Sequence, residues 1–208
     1  MAFAVIPGRV FFCKAMRTIV FIDGQNLYHL AKKLWATVGY SAYTYPNYDV
    51  DKVAQSLVFG IPGRTLTQIR FYTGVPNSRV DPFWHDFWTN KLRYLRGRGV
   101  VVYAGRVNQS GQEKGVDVSL AIDLVQLTHD QQYDTAIIVS QDWDFGPAVK
   151  LARQIGTSQG RALSFESCFP YELGGPVNNR GIPATTWIHI DKSTYDSWFD
   201  SRDYRPRN

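Results

Sequence analysis

The sequence predicts an α/β fold: a three-layer sandwich in which helices cover both faces of a central, mainly parallel sheet. Three observations carry this. Short apolar, β-branched runs alternate with segments of helical periodicity from Thr18 to Ile190. The first and fourth runs, TIVFID and TAIIVS, are the most apolar and do not alternate, as strands buried on both faces do not. Helix-length crossovers separate them, and parallel strands need such connections, which are right-handed.

Each element follows in order. Residues 18–23 (TIVFID) form a wholly apolar run that ends in an acid. Residues 26–38 read as a helix with Leu27, Leu30, Ala31 and Leu34 on one face, and 39–48 as a loop carrying Tyr40, Tyr43, Tyr45 and Tyr48. A second helix is predicted over 49–59 and a strand over 68–73 (QIRFYT). The pair Asp81-Pro82 opens a helix over 81–96. Its Phe83, Trp84, Phe87 and Trp88 read as core packing. Residues 100–104 (VVVYA) are the third strand, 116–129 a helix, 135–140 (TAIIVS) the fourth strand and 145–155 a helix. Strands five and six are predicted over 161–165 and 186–190. Residues 1–15 read as an N-terminal extension, with Met16 as an alternative start. Residues 16–166 read as the domain, and 167–208 as a C-terminal extension packing on or wrapping it.

The 208 residues are 44% hydrophobic and 20% charged, the balance of a folded chain rather than a disordered one. Cys13 and Cys168 fit neither a disulfide framework nor a CxxC pattern, and His29, His85, His129 and His189 are isolated, so a zinc site is not indicated. No apolar run approaches the roughly 18 residues of a membrane span, and Pro7, Gly8 and Arg9 break the stretch a signal peptide would need. A cytoplasmic protein without membrane contact is expected. The net charge of +5, with a pI near 9.2, favours a polyanionic partner.

In open α/β sheets ligands bind beyond the carboxyl ends of the strands, near the point where strand order reverses. Asp23 ends the first strand in Asp23-Gly24-Gln25-Asn26. Asp142 and Asp144 follow the fourth in Ser140-Gln141-Asp142-Trp143-Asp144-Phe145. These two strands are the most apolar of the set and are expected to be central neighbours, which places three carboxylates at one sheet edge. At about 100° per residue, Asp117 falls in the middle of the inward stripe that includes Leu120, Ala121, Leu124 and Thr128. The helix over 116–129 is therefore expected to aim a fourth acid at the same edge. Asp123 falls on the flank and is a weaker candidate.

Each acid also has a local reading. Asp144, before Phe145, Gly146 and Pro147, is a good N-cap. Asp117 suits the first turn of its helix, and Asp23-Gly24 is a common turn pair. Clustered carboxylates cannot all stay ionised without a counter-charge. A hard divalent cation, Mg²⁺ or Mn²⁺, is the natural one, and it suits phosphoryl substrates because it can activate a water and stabilise a leaving oxygen. Asn26 and Ser140 would orient the ligands or a substrate phosphate.

These segments resemble the NYN domains of the PIN-like nuclease superfamily, in particular their LabA-like branch. The match lies in residues 19–27 (IVFIDGQNL), 114–125 (KGVDVSLAIDLV) and 135–149 (TAIIVSQDWDFGPAV), in order and spacing across residues 18–165. The resemblance implies a Rossmann-like PIN-type fold and metal-dependent ribonuclease activity. Asp23, Asp117, Asp142 and Asp144 would be the catalytic metal ligands, with Asn26 and Ser140 in support. The chain departs from the pattern at Gln141, where the family usually has a small glycine; the longer side chain would narrow the approach of a phosphate. The tyrosine-rich loop and the segment after Cys168 have no counterpart in the family.

An RNA hydrolase must also hold its strand, and cleavage is expected to be endonucleolytic on single-stranded regions. Lys114, Lys150 and Arg153 lie near the acidic edge or on the helix leaving it, while Lys91, Arg93, Arg96 and Arg98 form a basic run at the end of the third helix. Such cations give salt-dependent, sequence-independent affinity. Trp143, between two of the acids, is the aromatic best placed to stack on an unpaired base. Helix-dipole pairing and core packing are the alternatives for all of these. RNA is the expected partner, and a homodimer is compatible with related folds. Two rival functions remain: a non-catalytic RNA-binding or regulatory module, and a phosphatase acting on small substrates. A nucleotide-cofactor enzyme is not indicated, since neither GxGxxG nor a P-loop follows any strand.

Overall fold

The apolar runs do form the sheet, and most of them extend beyond their apolar centres. The computed structural model describes residues 3–6, 9–12, 15–36, 43–108 and 112–206. In chain order the elements are β1 (Phe3–Ile6), β2 (Arg9–Phe12), β3 (Met16–Asp23), α1 (Gly24–Trp35), α2 (Val50–Phe59), β4 (Arg64–Val75), α3 (Pro82–Gly97), β5 (Val101–Val107), β6 (Glu113–Lys114) and α4 (Val116–His129). They continue with β7 (Thr135–Val139), a 3-10 turn (Trp143–Phe145), α5 (Gly146–Ser158), β8 (Ser164–Pro170), β9 (Thr186–Ile190) and α6 (Lys192–Ser197). The main sheet has the order β6-β5-β4-β3-β7-β8-β9, with six parallel strands and only the edge strand β6 antiparallel.

Side chains of successive strand residues point to opposite faces, and each face meets its own helices. Val20, Ile22, Ile137 and Val139 pack with α1, α2 and α3. Ile19, Phe21, Ala136 and Ile138 pack with α4 and α5. All five residues of β7 are buried. Burying a Val, Ile or Phe side chain stabilises the fold by about 1.5–3 kcal/mol, which is why these two strands are central. On the outer side of α4 and α5, Val118, Ile122 and Leu151 stay exposed.

Several boundaries differ from those the sequence predicts. The antiparallel pair β1–β2 lies in the stretch read as an extension, where no element is predicted. The first helix begins at Gly24 because Asp23 caps it, accepting from the Asn26 amide. Residues 37–38 of that predicted helix, and 39–42 of the loop after it, lie outside the described residues. The fifth strand begins at Ser164 rather than Arg161. Arg161 instead turns the chain, its guanidinium reaching the Tyr133 carbonyl and Asp134. β8 then runs past Cys168 to Pro170, its buried Glu166 neutralised by an ion pair with the equally buried Arg64.

The C-terminal residues are built into this frame. β9 extends the sheet, and Ile190, Tyr195, Trp198 and Tyr204 are buried in the core that contains α1–α3. The Asp49 amide donates to the Trp198 carbonyl at 2.7 Å, and the Asp200 amide to the Asn47 carbonyl at 2.8 Å. Lys91 closes this region from inside. It is fully buried, and its ammonium donates to the Pro46 and Tyr48 carbonyls at 2.6 and 2.8 Å. The basic run expected along the end of α3 is therefore not a continuous RNA-binding surface. Its first member is internal, and the end of α3 lies at the amino ends of the strands, opposite the acidic edge. Among the described residues no helix is long and apolar enough to cross a membrane.

Candidate functional site

β3 and β7 are hydrogen-bonded neighbours, pairing Thr18 to Thr135 through Ile22 to Val139. From β3 the chain steps outward to β4 and β5, whereas β7 begins the other half on the opposite side. The strand order thus reverses between β3 and β7, and the carboxyl ends of these two strands are where a ligand crevice opens. Asp23 ends the first strand and Ser140 follows the second.

A chain of hydrogen bonds ties the two ends together. Asp23 is buried; its Oδ1 accepts from the Asn26 amide at 3.0 Å and its Oδ2 from the Ser140 hydroxyl at 3.3 Å. Ser140 Oγ in turn accepts from the Asp142 amide at 3.1 Å. Asn26 Oδ1 accepts from the Gln141 amide at 3.2 Å. Ser140 is thereby committed to holding the acidic segments, while the Asn26 Nδ2 donors have no partner among the described residues. Gly24 allows helix α1 to start directly at the strand end. A Cβ there would lie 2.5 Å from Phe71 Cζ and 3.1 Å from Tyr48 Oη.

Asp142, not Asp144, is the cap after β7. It accepts from the Asp144 amide at 3.0 Å and opens the 3-10 turn, whereas α5 begins behind Phe145 with no side-chain cap. The inserted turn is the physical reason: it moves the start of α5 beyond reach of either acid. Asp144 is left exposed and forms no salt bridge among the described residues.

Asp117 lies in the first turn of α4, which starts behind Gly115 in the left-handed conformation (φ 81°). The buried stripe of α4 is Val116, Leu120, Leu124 and Thr128. Asp117 sits on the shoulder of that stripe and is exposed, not in its middle as the helical phase suggests. Its pKa is nevertheless raised, first by burial and then by the negative charges of Asp142 and Asp144. α4 thus brings its acid within electrostatic range of the acids after β7. Asp123 is absent from this group, because it binds the Arg70 guanidinium at 2.6 Å and the Tyr72 hydroxyl at 2.7 Å.

The donor set tests the fit of a divalent cation in two ways. Asp117, Asp142 and Asp144 have no cationic partner among the described residues, and the buried Gln141 Oε1 beside them has no hydrogen-bond partner. Hard, uncompensated oxygens of this kind match Mg²⁺ or Mn²⁺ chemistry. Among the described residues, however, no three carboxylate, imidazole or thiol groups converge closely enough to form a metal-binding group. The chemistry of the donors fits, and the set is open.

The other expected contacts divide. Trp143 is 49% exposed beside the acids. Lys114 and Lys150 are exposed. Arg153 is not free: it donates to the Ala184 carbonyl at 2.8 Å and lies over the Phe165 ring at 5.1 Å. Tyr43 and Tyr45 pack, the first donating to Asp196 and the second stacking on Phe87.

The NYN domain family model matches residues 17–162, about seven-tenths of the chain. A comparison with curated proteins found no match. Among solved structures, the crystal structure of a protein of unknown function from Vibrio parahaemolyticus is similar, with a TM-score of 0.51 and 18% identity over 86% of this chain and 95% of that one. At that identity the likeness shows the fold, a mixed α/β sandwich of the same type. With the family model matching through both halves of the β3/β7 crevice, the chain belongs to the NYN domain family of the PIN-like nuclease superfamily.

Proposed function

We propose that this protein is a metal-dependent endoribonuclease that hydrolyses phosphodiester bonds in single-stranded RNA, acting in the cytoplasm and belonging to the LabA-like branch of its family. The observation that carries this reading is the group of Asp117, Asp142 and Asp144 at the reversal point, where burial and then the charges of Asp142 and Asp144 raise the Asp117 carboxyl and no cation among the described residues neutralises the group. Asp23, Asp117, Asp142 and Asp144 would hold Mg²⁺ or Mn²⁺. The bound ion would neutralise the phosphodiester charge and activate the attacking water.

The chain's own residues account for the rest. Ser140 fixes Asp23 and the start of the Asp142 segment relative to each other. Asn26 locks the Gln141 backbone and turns its amide donors towards a phosphate oxygen. Trp143 offers an exposed ring to an unpaired base, and Lys114 and Lys150 supply non-specific phosphate attraction. Arg153 contributes less, since its guanidinium is already engaged.

Gln141 favours a second reading, a non-catalytic RNA-binding module, because it stands where the family has glycine and leaves a buried oxygen unpaired. One assay separates the two, together with the phosphatase alternative. Labelled, partly structured RNA, nucleotides and phosphate monoesters are incubated with Mg²⁺, Mn²⁺ or EDTA. The proposal expects metal-dependent cuts within unpaired RNA and no turnover of monoesters. RNA binding without cleavage would replace the enzyme by the binding module.

A further inference from the structure

A second concavity opens at the same sheet edge, on the far side of Asp23 from the Asp142 turn. Its volume is about 520 Å³, and it runs from Gln25, in the same turn as Asp23, to Trp84 and Trp88 on α3, with Tyr28, His29 and Lys32 along α1. Its walls are mostly apolar, with Gln25, His29, Lys32 and Asp81 as polar groups among them, and a volume of about 300–1,000 Å³ lined in this way is typical of a small-ligand site. The ends of β4 and β5 border it, so it shares the strand-end position of the acidic crevice.

Trp88 and Tyr28 are almost wholly buried, at 2% and 5% exposure, so the ring surface open to the cleft is chiefly that of the half-buried Trp84. Trp84 meets Tyr45, Phe83 and Phe87 tilted or edge-on, at interplanar angles of 53°, 89° and 70°, and no ring is stacked parallel on it among the described residues. Neither the Trp84 nor the Trp88 indole N–H has a hydrogen-bond partner among the described residues. Tyr28 is held rigidly, its hydroxyl donating to the Thr44 carbonyl at 2.8 Å, and His29 leans on its ring at 5.1 Å. Burial, and then Lys32, lower the His29 pKa, so the imidazole is neutral near pH 7 and offers one donor and one acceptor. Lys32 is exposed at the rim, its ammonium donating to the Tyr28 hydroxyl at 3.4 Å and keeping further donors for a phosphate.

We propose that this cleft is a nucleobase subsite: it takes one unpaired base of the RNA strand adjoining the phosphodiester held at the acidic edge, with Lys32 on that nucleotide's phosphate. The inference rests on the ribonuclease reading for the identity of the ligand. Aromatic walls give sequence-tolerant stacking, since every base has a π-face. The cleft would thereby select single-stranded RNA, because a base must leave its duplex to enter.

The test uses the full chain and short single-stranded RNAs carrying 2-aminopurine at one position at a time, with Ca²⁺ replacing Mg²⁺ to hold the strand. His29→Ala and Lys32→Ala change exposed helix positions, and thermal unfolding verifies that both variants fold. We expect quenching at one position of the strand. His29→Ala should weaken binding about 5- to 10-fold, and Lys32→Ala should lower the salt slope by about 0.7. Replacing the quenched base by an abasic ribose should weaken wild-type binding similarly and remove the difference between wild type and His29→Ala. Three results would overturn the subsite: no quenching at any position, equal binding of intact and abasic RNA by wild type, or no RNA binding at all. Quenching with no metal-dependent cleavage would instead sink the nuclease reading and leave the subsite standing.

Discussion

Asp23 has a structural role in this fold and a proposed catalytic one, and substituting it in two ways tells them apart. Structurally it caps α1 through the Asn26 amide and accepts the Ser140 hydroxyl, both while buried. Asp23→Ala removes the cap, worth about 0.5–2 kcal/mol. It also leaves the Ser140 hydroxyl without its acceptor, costing about 1–3 kcal/mol, partly offset because Ser140 keeps its bond from the Asp142 amide. The sum is about 2–3 kcal/mol. At about 2–4 °C per kcal/mol for a chain of this size, the melting temperature should fall by about 4–12 °C. Asp23→Asn keeps an oxygen for the cap and an atom facing Ser140, so its cost should stay below about 1 kcal/mol. Activity should behave differently: both variants lose the carboxylate charge, and cleavage should fall at least about 100-fold in each, since even outer-shell partners of a metal site are worth 10–100-fold. Thermal unfolding and a cleavage time course check this. An Asn variant as unstable as the Ala variant would refute the cap argument. An active Asn variant would refute the catalytic one.

Two further predictions concern titrating groups. Burial holds the Lys91 ammonium down at about 7, against 10.5 for the exposed group, with Asp200 and Asp49 opposing. Between those values the unfolded chain binds the extra proton, so stability should be flat below pH 7 and rise above it by up to about 1.4 kcal/mol per pH unit. Denaturant unfolding between pH 6 and 9 should show that slope in wild type and not in Lys91→Met; an equal slope in both would exclude Lys91 as its source. At the site, Asp144→Asn removes one of the two charges raising Asp117. NMR titration of the metal-free protein should then find the Asp117 carboxyl at lower pH than in wild type, and an unchanged midpoint would mean the two acids do not interact.

Where the sequence carried a strong local signal, the fold and the placement of the candidate site could be read from it. The runs TIVFID and TAIIVS are apolar on both faces, which made them central, and their adjacency brings Asp23 and Asp142 to one edge. The phase of α4 put Asp117 in the buried stripe and Asp123 on its flank; the true stripe begins at Val116, which leaves Asp117 exposed and Asp123 partly buried against Arg70. What escaped was decided by tertiary contacts. Glu166 interrupts an apolar run and hides most of β8, because its charge is tolerated only through Arg64, more than a hundred residues away. A single 3-10 turn transferred the cap from Asp144 to Asp142. Lys91 was legible in principle: it is spaced four from Phe87 and Leu95 and three from Trp88, inside the apolar stripe of α3. The cleft beside Gln25 was not: Trp88 is a core residue as its spacing suggests, and the partial exposure of Trp84 depends on where α1 lies opposite it.

The most direct test of the central claim is cleavage of a labelled, partly structured RNA by wild type and by Asp142→Asn, each with Mn²⁺, Mg²⁺ or EDTA. Asp142 accepts the Asp144 amide through Oδ1, and Asn retains an acceptor there, so the variant should melt within about 1 kcal/mol of wild type. The account predicts metal-dependent cleavage in wild type and its loss in the equally folded variant. Equal cleavage by both proteins, or cutting that persists in EDTA, would contradict it.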